Sequence, residues 1–189
     1  MNEDFEAVVI SVGGSIILGD KSFDAEYLTK LKNFAIDYIE EKNRLAIIIG
    51  GGKLARDSQE KAKKVNPDLT DDDKDWIGIY ATRFNAQVVA QIFKGYTSPE
   101  IITNPTKEVS WEYPILFAAG WEPGCSTDYD AVLLAKNLGS RRLVNLTNVD
   151  HVYTADPKKD NSAKLIRQIS WAEFRESCLC RGSKSALRR

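Results

Sequence analysis

The chain has 189 residues, 43% apolar and 28% charged, which is enough to bury a core and reads as effectively one domain. Its 26 Lys and Arg nearly balance 27 Asp and Glu, leaving a net charge of -1, so no global field calls for nucleic acid or an anionic membrane. The apolar runs are too short to span a bilayer and the acidic start MNEDFE lacks the basic flank of a signal peptide, so a cytoplasmic location is expected.

Val8 to Ser15, VVISVGGS, reads as an apolar strand ending in Gly13, Gly14 and Ser15. Asp24 can cap a helix whose Leu28, Leu31, Ala35, Tyr38 and Ile39 follow helical spacing, and that helix is packing rather than chemistry. The most informative stretch comes next: Leu45 to Arg56, LAIIIGGGKLAR. Its isoleucine run predicts a strand buried on both faces, hence the middle of a parallel sheet covered by helices. Gly50, Gly51 and Gly52 let an anion approach backbone N–H groups, and Lys53 and Arg56 open a helix there, so a phosphate is the natural occupant. One such junction marks a tight turn as readily as a phosphate site. The copy at Gly13 and Gly14 favours the second reading, because a right-handed βαβ crossover puts both turns at one sheet edge. Two phosphates facing each other suggest transfer between them.

Beyond Arg56 a polar helix is predicted to about Val65, broken by Asn66-Pro67. Thr70 with Asp71, Asp72 and Asp73 opens a long amphipathic helix marked by Trp76, Ile77, Tyr80, Phe84, Val88 and Ile92. Asp75 is different in kind, lying one turn in beside Trp76, although exposure preferences alone favour a solvated surface carboxylate. Pro99 to Thr103 and Pro114 to Ala118 read as two short strands. The second feeds the loop Gly120-Trp121-Glu122-Pro123-Gly124-Cys125-Ser126-Thr127-Asp128, where Ser126 and Thr127 can cap a helix through Leu133, Leu134 and Leu138. Coming third on the same edge, this loop is expected to face a ligand. Arg142 to Leu146 is another predicted strand. Thr147 to Asp160 follows, where Tyr153 among polar residues suits a flat heterocycle, with ribose hydroxyls on a carboxylate, or else a plain surface hairpin. Ser170 with Glu173 forms a capping box for a short helix through Trp171 and Phe174, and the basic tail Arg181 to Arg189 is expected to fray.

Absences narrow the chemistry. His151 is the single histidine, so there is no HExxH zinc site and no serine triad with a spare imidazole. Cys125, Cys178 and Cys180 show no zinc-ligand spacing and are expected to be reduced thiols, so no protein metal site is predicted. Neither a Walker loop nor a GxGxxG fingerprint is present. Phosphoryl transfer suffers least, because it needs positioning and charge stabilisation by amides, Lys, Arg and magnesium more than a tuned base.

Taken together, VVISVGGS, IIIGGGKLAR, DWIGIYATRFNA, the PGCSTD loop and LTNVDHVYTADPKKD resemble, in order and spacing, the amino acid kinase superfamily. The likeness covers roughly residues 7 to 175 and is nearest to the archaeal-type uridylate (UMP) kinases. It implies an α/β fold, a three-layer αβα sandwich with a mainly parallel sheet, and a homohexamer. The implied reaction moves the γ-phosphoryl of ATP to UMP with magnesium, giving UDP and ADP. The resemblance also implies an acceptor-binding lobe and sheet core over residues 1–140 and an ATP-binding lobe over 141–189. Family members continue past the Trp171 helix with a further loop, helix and strands, so that second lobe is expected to be incomplete.

By matching position, Gly14, Ser15, Gly52 and Arg56 would meet ATP phosphates, and Gly51 the UMP phosphate. Asp75 falls on the acceptor-ribose carboxylate, which reverses the surface reading. Trp121, Glu122, Pro123, Gly124, Cys125, Ser126 and Thr127 match the loop around UMP, and Thr147, Tyr153 and Asp156 the ATP side. Lys53, Arg56 and Ser15 are the implied catalytic residues. The sequence departs from the archaeal pattern at Ala119, Trp121 and Glu122, and His151 replaces a turn glycine. Glu122 could admit a different phosphate acceptor. The alternatives are therefore a kinase of another small phosphate, or a non-catalytic nucleotide-binding or storage subunit of the same superfamily.

Overall fold

The computed structural model describes residues 5–18, 22–147, 151–155, 160–170 and 172–173. These fall into two compact units that divide after Asn148.

The first unit opens with β1 (Ala7–Val12), the short α1 (Gly14–Ile17), α2 (Ala25–Glu40) and β2 (Arg44–Ile49). Then come α3 (Gly52–Val65), α4 (Asp71–Ile92), β3 (Ile115–Ala118), α5 (Thr127–Asn137) and β4 (Arg142–Leu146). Its strands form a four-stranded sheet in the order β3-β2-β1-β4, with every neighbouring pair parallel. Val12 pairs with both Ile49 and Leu146, and Ile48 with Ala118, so all the strands finish at one rim.

Apolar residues on alternate sides of the strands make two cores. Val8, Ile10, Val12, Leu45, Ile47 and Ile49 pack against Leu28, Leu31 and Ala35 of α2, Ala86 and Val89 of α4, and Phe93 at the C-cap of α4. On the other face Val9, Ala46, Ile48, Leu116 and Ala118 pack against Ala131, Leu134 and Ala135 of α5. This is the expected αβα sandwich with a mainly parallel sheet. Leu45 to Ile49 are at most 1% exposed, as a doubly covered central strand requires.

The predicted caps are present. The Asp24 side chain accepts from Tyr27 N (2.9 Å), Thr70 and Asp73 make a reciprocal capping box, and Ser126 accepts from Tyr129 N (3.2 Å). One predicted strand is not. Of residues 99–103 only Ile102 pairs with the sheet, through Ile102 N to Phe117 O (2.9 Å) and Ala119 N to Ile102 O (3.0 Å). Pro99 and Pro105 bracket that stretch without N–H donors, so the pairing stays a single bridge.

In the second unit β5 (Val152–Tyr153) and β6 (Leu165–Ile166) pair antiparallel as a small hairpin. Ser170 and Glu173 make the expected capping box, while Trp171 and Phe174 lie outside the described residues. Among the described residues no helix is long and apolar enough to cross a membrane.

Candidate active site at the strand rim

Two glycine turns meet at the rim. Gly13 N donates to Leu146 O (3.0 Å), and Gly50 N to Val12 O (2.9 Å), tying each turn to a neighbouring strand end. A Cβ added to Gly14 would stand 2.4 Å from Gly50 O and 2.4 Å from Gly52 N, so only glycine permits this backbone-to-backbone approach. Gly52 has φ +58 and an added Cβ there would lie 2.3 Å from Gly14 C, so it is fixed both by conformation and by space. Ser15 is exposed beside this contact, its N atom 2.8 Å from the same added Cβ.

Helix capping separates packing ends from rim ends. The packing helix α2 and the long α4 and α5 carry side-chain caps, whereas α1 and α3, which follow the glycine turns, have none. Gly51, at the N-cap of α3, has no side chain with which to close that first turn. The carbonyls of the glycine turn are gripped instead: the fully buried Asn85 of α4 donates Nδ2 to Gly50 O (3.0 Å) and Gly51 O (3.2 Å).

Gly51, Gly52, Ala55, Arg56, Asp75 and Thr127 share one cavity of about 270 Å³, completed by Gln59, Gly78, Ile79, Thr82, Gly120 and Cys125. The strand rim, α3, α4 and the start of α5 thus converge. Gly14 borders it through its contact with Gly50 and Gly52, while Lys53, on α3, is exposed and outside the lining. Trp121, Glu122, Pro123, Gly124 and Ser126 belong to the loop over the cavity but do not line it, and the Ser126 hydroxyl is committed to its helix cap. Thr147 follows Leu146 at the same rim. Tyr153 sits in the second unit, half-buried with its ring 6.4 Å from that of His151, and Asp156 lies outside the described residues. A larger cavity of about 330 Å³ lies between residues 98–113 and Leu116, and it contains neither glycine turn.

Asp75 is not the solvated surface carboxylate that exposure preferences suggest. Its Oδ2 accepts from Gly124 N (2.7 Å), joining α4 to the loop, and it lines the cavity. Several participants escaped the sequence reading. Thr82 Oγ1 accepts from Gly120 N (2.8 Å), and Arg83 donates to Gly120 O (3.3 Å) and Trp121 O (3.1 Å). Asp130 Oδ2 accepts from Trp121 N (3.1 Å), and Ser11 Oγ donates to Asp128 Oδ1 (2.7 Å), linking β1 to the first turn of α5. Burial pushes the Asp130 carboxyl up to about 6, the Trp121 N–H opposing this and the Glu122 charge adding to it. Only Gly78 left a trace in sequence, as a glycine inside a helix: an added Cβ would lie 2.9 Å from Gln59 Nε2, so α3 and α4 approach closely there.

The sequence profile described as the amino acid kinase family matches residues 6–187. The chain belongs to this family. It is 37% identical over 173 residues to the uridylate kinase of Pyrococcus abyssi, covering 88% of this chain and 73% of that one. It is 38% identical over 173 residues to the uridylate kinase of Thermoplasma volcanium, covering 89% and 72%. The crystal structure of uridylate kinase from Archaeoglobus fulgidus superposes with a TM-score of 0.77 at 31% identity, over 96% of this chain and 81% of that chain. As a family member its two glycine turns and loop occupy the carboxyl ends of parallel strands, where open α/β sheets bind ligands.

Proposed function

We propose that this chain is an ATP-dependent UMP kinase, transferring the γ-phosphoryl group of ATP to UMP to give UDP and ADP. The observation that carries the reading is the meeting of both glycine turns, Asp75 and Thr127 around one rim cavity. The archaeal relatives named uridylate kinase favour UMP over another phosphate acceptor or a storage role.

The UMP phosphate is already anionic at neutral pH, so no general base is required. Gly51 would take that phosphate, Asp75 the acceptor ribose, and the 121–127 loop would surround the nucleotide. Gly14, Ser15, Gly52 and Arg56 would take the donor phosphates, with Lys53 and Arg56 neutralising charge on the transferring group. Thr147, Tyr153 and Asp156 keep their assignment to ATP on the sequence motif alone.

Magnesium usually keeps several waters and is held largely by substrate phosphates, so it asks for no cage of protein side chains. When bound, it would supply charge neutralisation at the donor phosphates, beside Lys53 and Arg56. A homohexamer and a cytoplasmic location complete the proposal, and light scattering on the purified protein tests the first.

The deciding experiment is a coupled ADP-release assay with ATP-magnesium and single nucleoside monophosphates. UMP should drive ADP release well above the acceptor-free rate, with other monophosphates much weaker. A folded protein that releases no ADP with UMP, yet gains thermal stability from nucleotides, is a binder and refutes the kinase reading.

A further inference from the structure

Gly120 and Trp121 lie in irregular backbone between β3 and α5, yet each of their backbone polar groups is held by a side chain. Gly120 N donates to Thr82 Oγ1 (2.8 Å) and Trp121 N to Asp130 Oδ2 (3.1 Å), while Arg83 donates Nε to Gly120 O (3.3 Å) and Nη2 to Trp121 O (3.1 Å). Buried loop amides ordinarily find such partners in a sheet ladder or a turn. Here α4 and α5 supply them.

The clamping side chains are themselves fixed. Thr82 is 6% exposed and Asp130 fully buried, and the Thr82 hydroxyl also donates to Ile79 O (2.6 Å). The half-buried Arg83 guanidinium stands over the Trp76 ring at 5.8 Å and the Tyr80 ring at 5.7 Å, so its orientation is set before it meets the loop. Neither Arg83 nor Asp130 lines the rim cavity. Whatever they do for a ligand, they do through the loop.

We propose that Arg83 and Asp130 are positioning residues for the acceptor side, which hold the 120–121 backbone so that the loop meets the acceptor nucleotide preformed. The inference rests on the reading of this loop as the UMP loop. A loop that must be ordered by its ligand binds more weakly, because conformational entropy is lost on binding instead of on folding. The donor phosphates are assigned to Gly14, Ser15, Gly52 and Arg56, to none of which Arg83 or Asp130 is hydrogen-bonded, so the effect belongs to one substrate.

The test compares wild-type protein with Arg83→Ala, Asp130→Ala and the double variant by steady-state kinetics and amide hydrogen exchange. Arg83→Ala should raise KM for UMP by about tenfold or more and leave KM for ATP within about twofold, the entropy of two backbone residues setting that scale. Amides of residues 120 and 121 should exchange faster in each single variant, with or without nucleotide. The double variant should raise KM for UMP by less than the product of the single changes, since both side chains hold the same peptide unit. Arg83→Lys keeps the charge but replaces the planar two-nitrogen fork with a single ammonium; it serves if the alanine variants fail to fold and should show the same one-sided change, smaller. Equal rises in both KM values, a change confined to kcat, or unaltered exchange at 120–121 would overturn the proposal. Wild-type protein that neither binds nor phosphorylates UMP would instead remove the UMP reading, and this inference with it.

Discussion

Gly14→Ala isolates the contact between the two glycine turns. The new methyl would begin 2.4 Å from Gly50 O and Gly52 N and 2.7 Å from Gly51 C, all backbone atoms. No side chain can rotate away. Reaching an ordinary separation of 3.4 Å, the distance an alanine methyl at Gly13 would keep from Leu146 O, moves the turns apart by roughly 1 Å. Overpacking of this kind costs about 1–3 kcal/mol, but alanine in a helix returns up to about 1 kcal/mol relative to glycine, and Gly14 is the first residue of α1. Net destabilisation of about 1–2 kcal/mol would lower Tm by roughly 2–8 °C in a chain of this size. Catalysis is less forgiving, since a misplacement near 1 Å can cost about a hundredfold. Gly14→Ala should therefore show a large loss of kcat in the ADP-release assay beside a modest shift in thermal unfolding. Gly13→Ala, whose methyl meets nothing closer than 3.4 Å, is the matched control and should lose little of either. Activity in Gly14→Ala within about threefold of wild type, or equal losses in both variants, would show that the turns need not touch for transfer.

Asp75→Ala removes a charged acceptor from Gly124 N and the assigned ribose contact, so KM for UMP should rise roughly 10- to 100-fold with KM for ATP little changed, and equal losses on both substrates would contradict the placement. Thr70→Ala breaks the capping box of α4 and should cost about 1 kcal/mol in urea unfolding, without altering either KM. Asp130 supplies a pH test. The unfolded chain releases this proton near 3.8 and the folded chain near 6, so the native state binds more protons between those values and stability falls as pH rises through that window. The drop is up to about 3 kcal/mol and is complete above it. Asp130→Asn cannot titrate, so its stability relative to wild type should increase between pH 4 and about 7; a constant difference across that range would show that burial does not shift this carboxyl.

What could be read from the chain was local. The isoleucine run, the glycines that end two strands, and the caps at Asp24, Thr70 and Ser126 each announce themselves within a few residues, and the structure places them as expected. Residues 99–103 misled because apolar character there serves the edge of the core rather than a full ladder. The clamp was invisible for a different reason: Arg83 meets carbonyls 37 and 38 positions away, and Ser11 meets Asp128 across 117. On α4 alone, Thr82, Arg83 and Asn85 look like ordinary polar helix residues. Their partners are backbone atoms, which carry no sequence signature.

The long helix α4 therefore has two jobs that its amphipathic pattern does not separate. Its apolar residues Ala86 and Val89, with Phe93 at its C-cap, fix it to the sheet face. From that fixed position Asn85 holds the second glycine turn while Asp75, Thr82 and Arg83 hold the loop. The second glycine turn and the loop are thus referenced to a single rigid element rather than to each other. On the proposed reading Gly51 and the loop meet the acceptor while Gly52, next along the same turn, meets the donor, so a packed helix bonded to that turn and to the loop limits how far the two phosphates can drift apart.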